Sequence, residues 1–228
     1  MGTLSVTKAD HLLWLGRHVE RTYTTLRFIL HAYDVALDDP LGNWRDQLEE
    51  LGFREEEENP YTFVRDCLFS PTLPSSIRHS ISAAYDNAVT LRDCVGTEAI
   101  AYVQMAYDNV GSAETSESPL LDLQAVIDDI MAFRGCIDDY IADDAVRSII
   151  KVGMGIERID LYTRLNFELE RLPQEVHRLA SRINRTGIAY DQESFRGVVD
   201  MVFDPAFPGN MTYEQLGELL KLDAHIFG

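Results

Sequence analysis

Leu12-Leu13-Trp14-Leu15-Gly16-Arg17-His18-Val19-Glu20-Arg21 sets a glycine, a glutamate and two arginines into a run that otherwise reads as an apolar helix. The phrase returns as Val152-Gly153-Met154-Gly155-Ile156-Glu157-Arg158. Gly16 matches Gly153, Glu20 matches Glu157, Arg21 matches Arg158 and Arg27 matches Arg164, all at one offset of 137 residues. A self-match of this kind predicts two long signature helices related by an internal pseudo-repeat. With Gly16 as zero and about 100° per residue, Gly16, Glu20 and Arg27 fall within about 40° of one another. They share that side with Leu12, Leu13, Val19 and Tyr23. Gly153, Glu157 and Arg164 line up in the same way beside Ile149, Ile150 and Ile156. Arg21 and Arg158 point aside, roughly 100° from their Glu neighbours. They are therefore the members of the doubled pair expected to be open to a ligand.

Carboxylates and guanidinium groups half-buried in a helix interface must pair. Glu20 is expected to meet Arg164 or Arg158 across the two long helices, and Glu157 to meet Arg27 or Arg21. Asp160, four residues before Arg164, is a competing partner for that arginine. Arg17 and Arg134 complete the candidate network. A mid-helix glycine costs about 1 kcal/mol against alanine, so its recurrence at Gly16 and Gly153 predicts close helix approach. A reciprocal network can simply fix how two helix hairpins pair, and this architectural reading is preferred over catalysis by Glu20 and Glu157.

The rest of the chain supports an all-α, multi-helix bundle. At 228 residues, with 46% apolar side chains, it can bury a substantial core. The spacing predicts helices over about 8–37, 76–95, 97–109, 120–140, 143–169, 173–185, 191–203 and 212–222. Thr7 with Asp10 resembles an N-cap with its capping acid, and Asp143 or Asp144 is set to cap the second signature helix. Residues 41–73 are expected to be irregular. They hold a short helix near 44–51, the acidic run Glu55–Glu58, and another short helix opened by Asn59-Pro60. Residues 111–118 read as a linker between a first half, about 1–110, and a second half, about 119–228. One core is still expected, and residues 1–228 read as a single domain.

The net charge of −18 excludes a general nucleic-acid surface and disfavours an anionic membrane. Basic partners, or metal ions, are electrostatically easier. Cys67, Cys94 and Cys136 are scattered as in a reducing compartment, and no leader or membrane span is evident, so a cytoplasmic location is expected. No His has an Asp or Glu three positions before it, which excludes the Glu-x-x-His pairs of a di-iron bundle. His11 and His18 lie opposite Gly16 and read as a solvated or partner-facing side, while His31 lies near the signature face. Asp138 and Asp139 are the nearest approach to a Mg²⁺ site, although capping and solvation account for such acids. No metal or other cofactor is expected.

Several stretches together resemble one family. They are Leu12 through Arg21; Pro74-Ser75-Ser76-Ile77 with Asp86-Asn87-Ala88 and Arg92-Asp93; and Phe133-Arg134-Gly135 with Asp138-Asp139 and Gly155 through Arg158. Their order and spacing are similar to the bacterial alpha-E family, an all-helical domain named for its Glu-Arg motif. The resemblance covers most of residues 8–170. The family's Gly-Arg-x-x-Glu-Arg phrase maps onto Gly16, Arg17, Glu20 and Arg21. It maps less completely onto Gly153, Glu157 and Arg158, because Met154 replaces an Arg and Gly155 a larger residue. His18 stands where Tyr is usual.

The resemblance implies proteins that accompany, or are fused to, a circularly permuted ATP-grasp domain, often beside transglutaminase-like peptidases and proteasome-like hydrolases. None of the 228 residues is expected to form the ATP-grasp domain itself. By this resemblance the chain is expected to be a non-catalytic helical partner of an ATP-grasp-type ligase or of its peptide substrate. The alternative is an enzyme of that pathway, with Glu20 or Glu157 as acid/base and Arg21, Arg158 or Arg134 gripping an anion. A homo-oligomeric scaffold is the third reading.

Overall fold

Helix α1, Val6–Asp38, is the axis of the molecule and is buried on nearly every side. Leu12, Leu15, Leu26 and Ile29 are fully buried, and so are Thr22, Thr24 and Thr25 to within 1%. The computed structural model describes residues 4–38, 60–204 and 212–227. The short helix expected near 44–51, the run Glu55–Glu58, the Asn59 cap, and Pro205, Pro208 and Gly209 lie outside those residues. After α1 come α2 (Pro60–Phe69), α3 (Ile77–Thr90), α4 (Arg92–Glu114), α5 (Pro119–Asp122) and α6 (Gln124–Tyr140). Beyond them lie α7 (Asp144–Arg164), a single 3-10 turn (Leu169–Arg171), α8 (Leu172–Ile183), α9 (Gln192–Val202) and α10 (Tyr213–His225). No strand occurs among the described residues. The protein is an all-α multi-helix bundle.

Side-chain caps set several of the helix starts. Ser76 Oγ accepts from the backbone N–H of His79 and opens α3. Asp143 Oδ1 accepts from the N–H groups of Ala145 and Val146 and opens α7. Thr212 and Gln215 close a reciprocal capping box on α10. At α1 the capping oxygen belongs to Ser5, which receives the Lys8 N–H, and not to Thr7 as the sequence suggested. Gly96, at φ +79°, interrupts α4 where a break was expected. Helix α7 stops at Arg164, short of the expected 169, because Asn166 and Glu168 turn left-handed at φ +48°.

The first half of the expected linker over 111–118 is helix. Helix α4 continues to Glu114, and only 115–118 connect it to α5. Val110 and Ala113 are fully buried, and Gly111 lies directly under the Arg78 guanidinium. Burial overrides the weak helix propensity of the Gly-Ser pair here.

The buried apolar side chains form one cluster drawn from α1 through α10. Helix α1 packs chiefly against α7 and α3, while α4 pairs with α6. Helix α8 covers the outer side of α7, and the α9–α10 pair meets α7 through α10. Successive contacts between α1 and α7 advance in the same sense along both chains, so the two helices run parallel. Parallel neighbours need a long crossover; the chain between Asp38 and Asp144 supplies it.

Candidate functional site: a reciprocal charge interlock beside a basic cleft

Gly16 and Gly153 let the backbones of α1 and α7 touch. A Cβ added at Gly16 would lie 2.1 Å from the carbonyl oxygen of Ile150 and 3.1 Å from the Met154 nitrogen. A Cβ at Gly153 would lie 2.2 Å from the carbonyl oxygen of Leu13 and 3.2 Å from the Arg17 nitrogen. Ile150 and Met154 are the counterparts of Leu13 and Arg17 at the 137-residue offset. The crossing is therefore reciprocal, each glycine seated on the same two positions of the other helix.

One turn beyond each glycine stands a fully buried carboxylate. Arg158 Nε and Nη2 donate to the two oxygens of Glu20 at 2.7 and 2.6 Å, a bidentate fork. Arg134 Nη2 adds a third bond at 2.6 Å and Thr24 Oγ1 a fourth at 2.9 Å. Glu157 is held by Arg17 Nε at 2.8 Å and by Arg21 Nε at 2.5 Å. Burial acts to raise both carboxyl pKa values, but the guanidinium groups overcome it. Arg158 and Arg134 hold Glu20 at about 2; Arg21 and Arg17 keep Glu157 below the usual range. Arg158 is stabilised as a cation by Glu20 and Glu175 against the effect of burial.

Two of the expected cross-helix pairs form, Glu20 with Arg158 and Glu157 with Arg21. Arg27 and Arg164 do not join them. Arg27 binds Glu168 at 2.6 and 3.2 Å, and Arg164 binds Asp160 at 2.7 and 3.2 Å. Arg27 sits about 16 Å along the helix from Gly16, by 1.5 Å per residue. At that distance the two axes have left their closest approach. Arg21 and Arg158 are not the open groups the helical angles suggested. The wheel places their Cα atoms on the flank, but close helices bring the long stems back to the opposite carboxylate.

Two members of the network, Thr24 and Glu175, were not foreseen from the sequence. Glu175 lies on α8 and receives Arg158 Nη1 and Arg178 Nη1, each at 2.7 Å. Its signal was present: Glu175 occupies the apolar stripe of Leu172, Val176, Leu179 and Ile183, where a lone acid must find a cation. Arg134, which was foreseen, carries a further contact, its guanidinium standing 3.9 Å over the Tyr23 ring.

The histidines differ from expectation. His11 Nδ1 lies 2.6 Å from Asn87 Oδ1 on α3, so that side of α1 is packed and not solvated. His18 lies tilted against Trp14, ring centroids 5.3 Å apart, and burial together with Arg21 lowers its pKa to about 4, leaving it neutral. His31 is exposed beside Phe167. Asp138 pairs with Lys151, Asp139 is exposed, and no three His, Cys, Asp or Glu side chains group for a metal among the described residues.

A cleft of about 380 Å³ opens where α6, α7 and α8 meet, directly beside the Glu20 end of the network. Its basic walls are Arg134, Lys151, Arg158, Arg178 and Arg182; its acids are Asp138 and Glu175. Ile137, Met154, Gly155 and Leu179 supply the apolar part.

The family model for Alpha-E, described as a predicted alpha-helical domain with a conserved ER motif, matches residues 6–187. That span runs from the first turn of α1 to just past α8 and holds both Glu-Arg phrases. No curated protein and no solved structure matches the chain.

Proposed function

Because the chain belongs to the Alpha-E family, we propose that it serves as a non-catalytic helical partner in an ATP-grasp-type system that forms peptide or amide bonds, binding the ligase or its peptide substrate. The observation that carries this reading is the state of the two motif carboxylates. Both have zero exposure, and each is saturated by guanidinium groups. A general acid or base needs a pKa near the working pH and reach to a substrate proton. Glu20, at about 2 and buried beneath Arg158 and Arg134, has neither property. The doubled motif is spent on joining α1 to α7, which leaves surfaces and clefts to carry the function.

Support for the ligase side comes from the company that the Glu-Arg phrase implies. Support for a basic contact surface on the partner comes from the charge of −18. The test is direct binding between the purified chain and an ATP-grasp-type ligase from the same organism, then ligase assays with and without the chain. Binding that weakens with salt, together with stimulated or chain-dependent ligation, is the expected result. A ligase that neither binds the chain, nor responds to it, nor requires it would end this reading.

A further inference from the structure

From the charge and shape of the cleft between α6, α7 and α8, we infer a binding site for a small aliphatic dicarboxylate, of the kind presented by a free or C-terminal Glu or Asp residue. The cleft concentrates positive charge in a chain that is otherwise strongly acidic. Five basic side chains line it against two acids, and Glu20 beneath them adds a third negative charge. Against those three acids two positive charges remain uncompensated.

Those charges have donors to spare. Arg178 uses one guanidinium nitrogen on Glu175, and Lys151 is held by Asp138. Arg182 has no carboxylate within ion-pair reach among the described residues. Its pKa is lowered by burial, with Asp138 opposing and Arg178 adding to the shift, the condition of a cation short of a counter-charge. Helix α8 offers Arg178 and Arg182 one turn apart, while Arg134, Lys151 and Arg158 face them from α6 and α7. An oxyanion at each side would meet forked or ammonium donors.

Size and polarity narrow the ligand. A volume of about 380 Å³ suits a small molecule. A nucleic acid would meet the net charge of −18 as repulsion. Ile137, Met154 and Leu179 give methylene groups a dry surface between the charged ends. Gly155 adds no bulk to that surface, and a Cβ there would lie in ordinary contact with Leu179 Cδ1 at 3.6 Å. Aliphatic stems with carboxylate ends fit this lining better than a bare tetrahedral anion does.

The cleft supports this site independently of the ligase partnership, so either can fail alone. The test is calorimetric titration of the intact chain at low salt with L-glutamate, the dipeptide Glu-Glu, L-glutamine and inorganic phosphate. Glutamate or Glu-Glu is expected to bind at least about tenfold more tightly than glutamine. Arg182→Gln makes no change to the interlock and should weaken that binding by about tenfold at unchanged thermal stability. Arg178→Gln, which also takes a cation from the buried Glu175, is the second variant and should weaken binding about tenfold while lowering thermal stability. Phosphate binding more tightly than both acidic probes would overturn the dicarboxylate assignment in favour of a phosphate ligand. Absence of binding by all four, or binding untouched by Arg182→Gln, would overturn the site.

Discussion

The two Glu-Arg sites are equivalent at the helix crossing and different one shell outward. Glu157 takes both its cations, Arg17 and Arg21, from α1, while the buried Asp223 of α10 lies close enough to feel its charge. Glu20 takes Arg158 from α7, but the position equivalent to Arg17 is Met154, which has no charge to offer. Arg134 of α6 fills the gap, and Glu175 of α8 binds the far side of Arg158. Two further helices, α6 and α8, thus join the network at the Glu20 end. A basic cleft borders the Glu20 end. A repeated motif can keep its mechanical duty in both copies while the outer surroundings of the copies diverge.

The sharpest way to break this comparison is to remove each carboxylate. Glu20→Gln and Glu157→Gln each remove the fully buried charge on which two half-buried arginines converge, with Arg158 keeping only Glu175, at a cost of about 3–5 kcal/mol. Chemical denaturation followed by helical circular dichroism measures both. Intact stability combined with lost partner binding or activity would show that the motif is functional and not architectural.

Gly16→Ala and Gly153→Ala come next. Helix propensity alone would make each about 1 kcal/mol more stable. The new methyl would instead press a carbonyl oxygen at 2.1 or 2.2 Å, which only helix displacement can relieve. A net loss of about 2–3 kcal/mol is expected for each variant. Nearly equal losses would confirm the reciprocity of the crossing; a neutral result at either glycine would break it.

Arg17→Met makes the Glu157 site resemble its counterpart, and Arg134→Met removes the substitute cation from Glu20. Each should cost about 2 kcal/mol through one lost charged hydrogen bond. Hydrogen exchange separates the two, because only Arg134→Met should loosen α6.

The pH dependence has opposite signs at two places. Glu20, ordinarily near 4.5, is held at about 2, and Glu157 shifts the same way. Their contribution is present above about 4.5 and is lost as pH falls toward 2, so stability should drop across that window. Asp223 on α10 is buried, with one carboxyl oxygen unpartnered, and its pKa is pushed well up by burial and by Asp160. Its contribution is full below its ordinary 3.8 and is lost as pH rises through the raised value. Asp223→Asn should raise the Tm at neutral pH by the equivalent of about 1 kcal/mol and do little at pH near 3. An equal gain at both pH values would show that Asp223 is not the group responsible.

Helix order was legible from caps and periodicity because those signals are local. Ser76, Asp143 and Thr212 each satisfy N–H groups within their own first turn. The 111–118 segment was misread because Gly and Ser are weak helix formers, while the burial of Val110 and Ala113 depends on helices distant in the chain. The flanking arginines were misread for a related reason. A helical wheel ranks directions on one cylinder, whereas the reach of Arg21 and Arg158 matters only once a second cylinder lies in contact.

By itself the sequence determined the all-α class, the two phrases at constant offset, and the need for buried Glu and Arg to pair across α1 and α7. Periodicity and the high cost of an unpaired buried charge suffice for these. Only the tertiary structure decided which arginine meets which glutamate, that α6 and α8 complete the Glu20 site, and that five basic groups converge on one cleft. Those outcomes depend on distances between segments far apart in the chain, set by the glycine crossing and by packing. No local pattern encodes such distances.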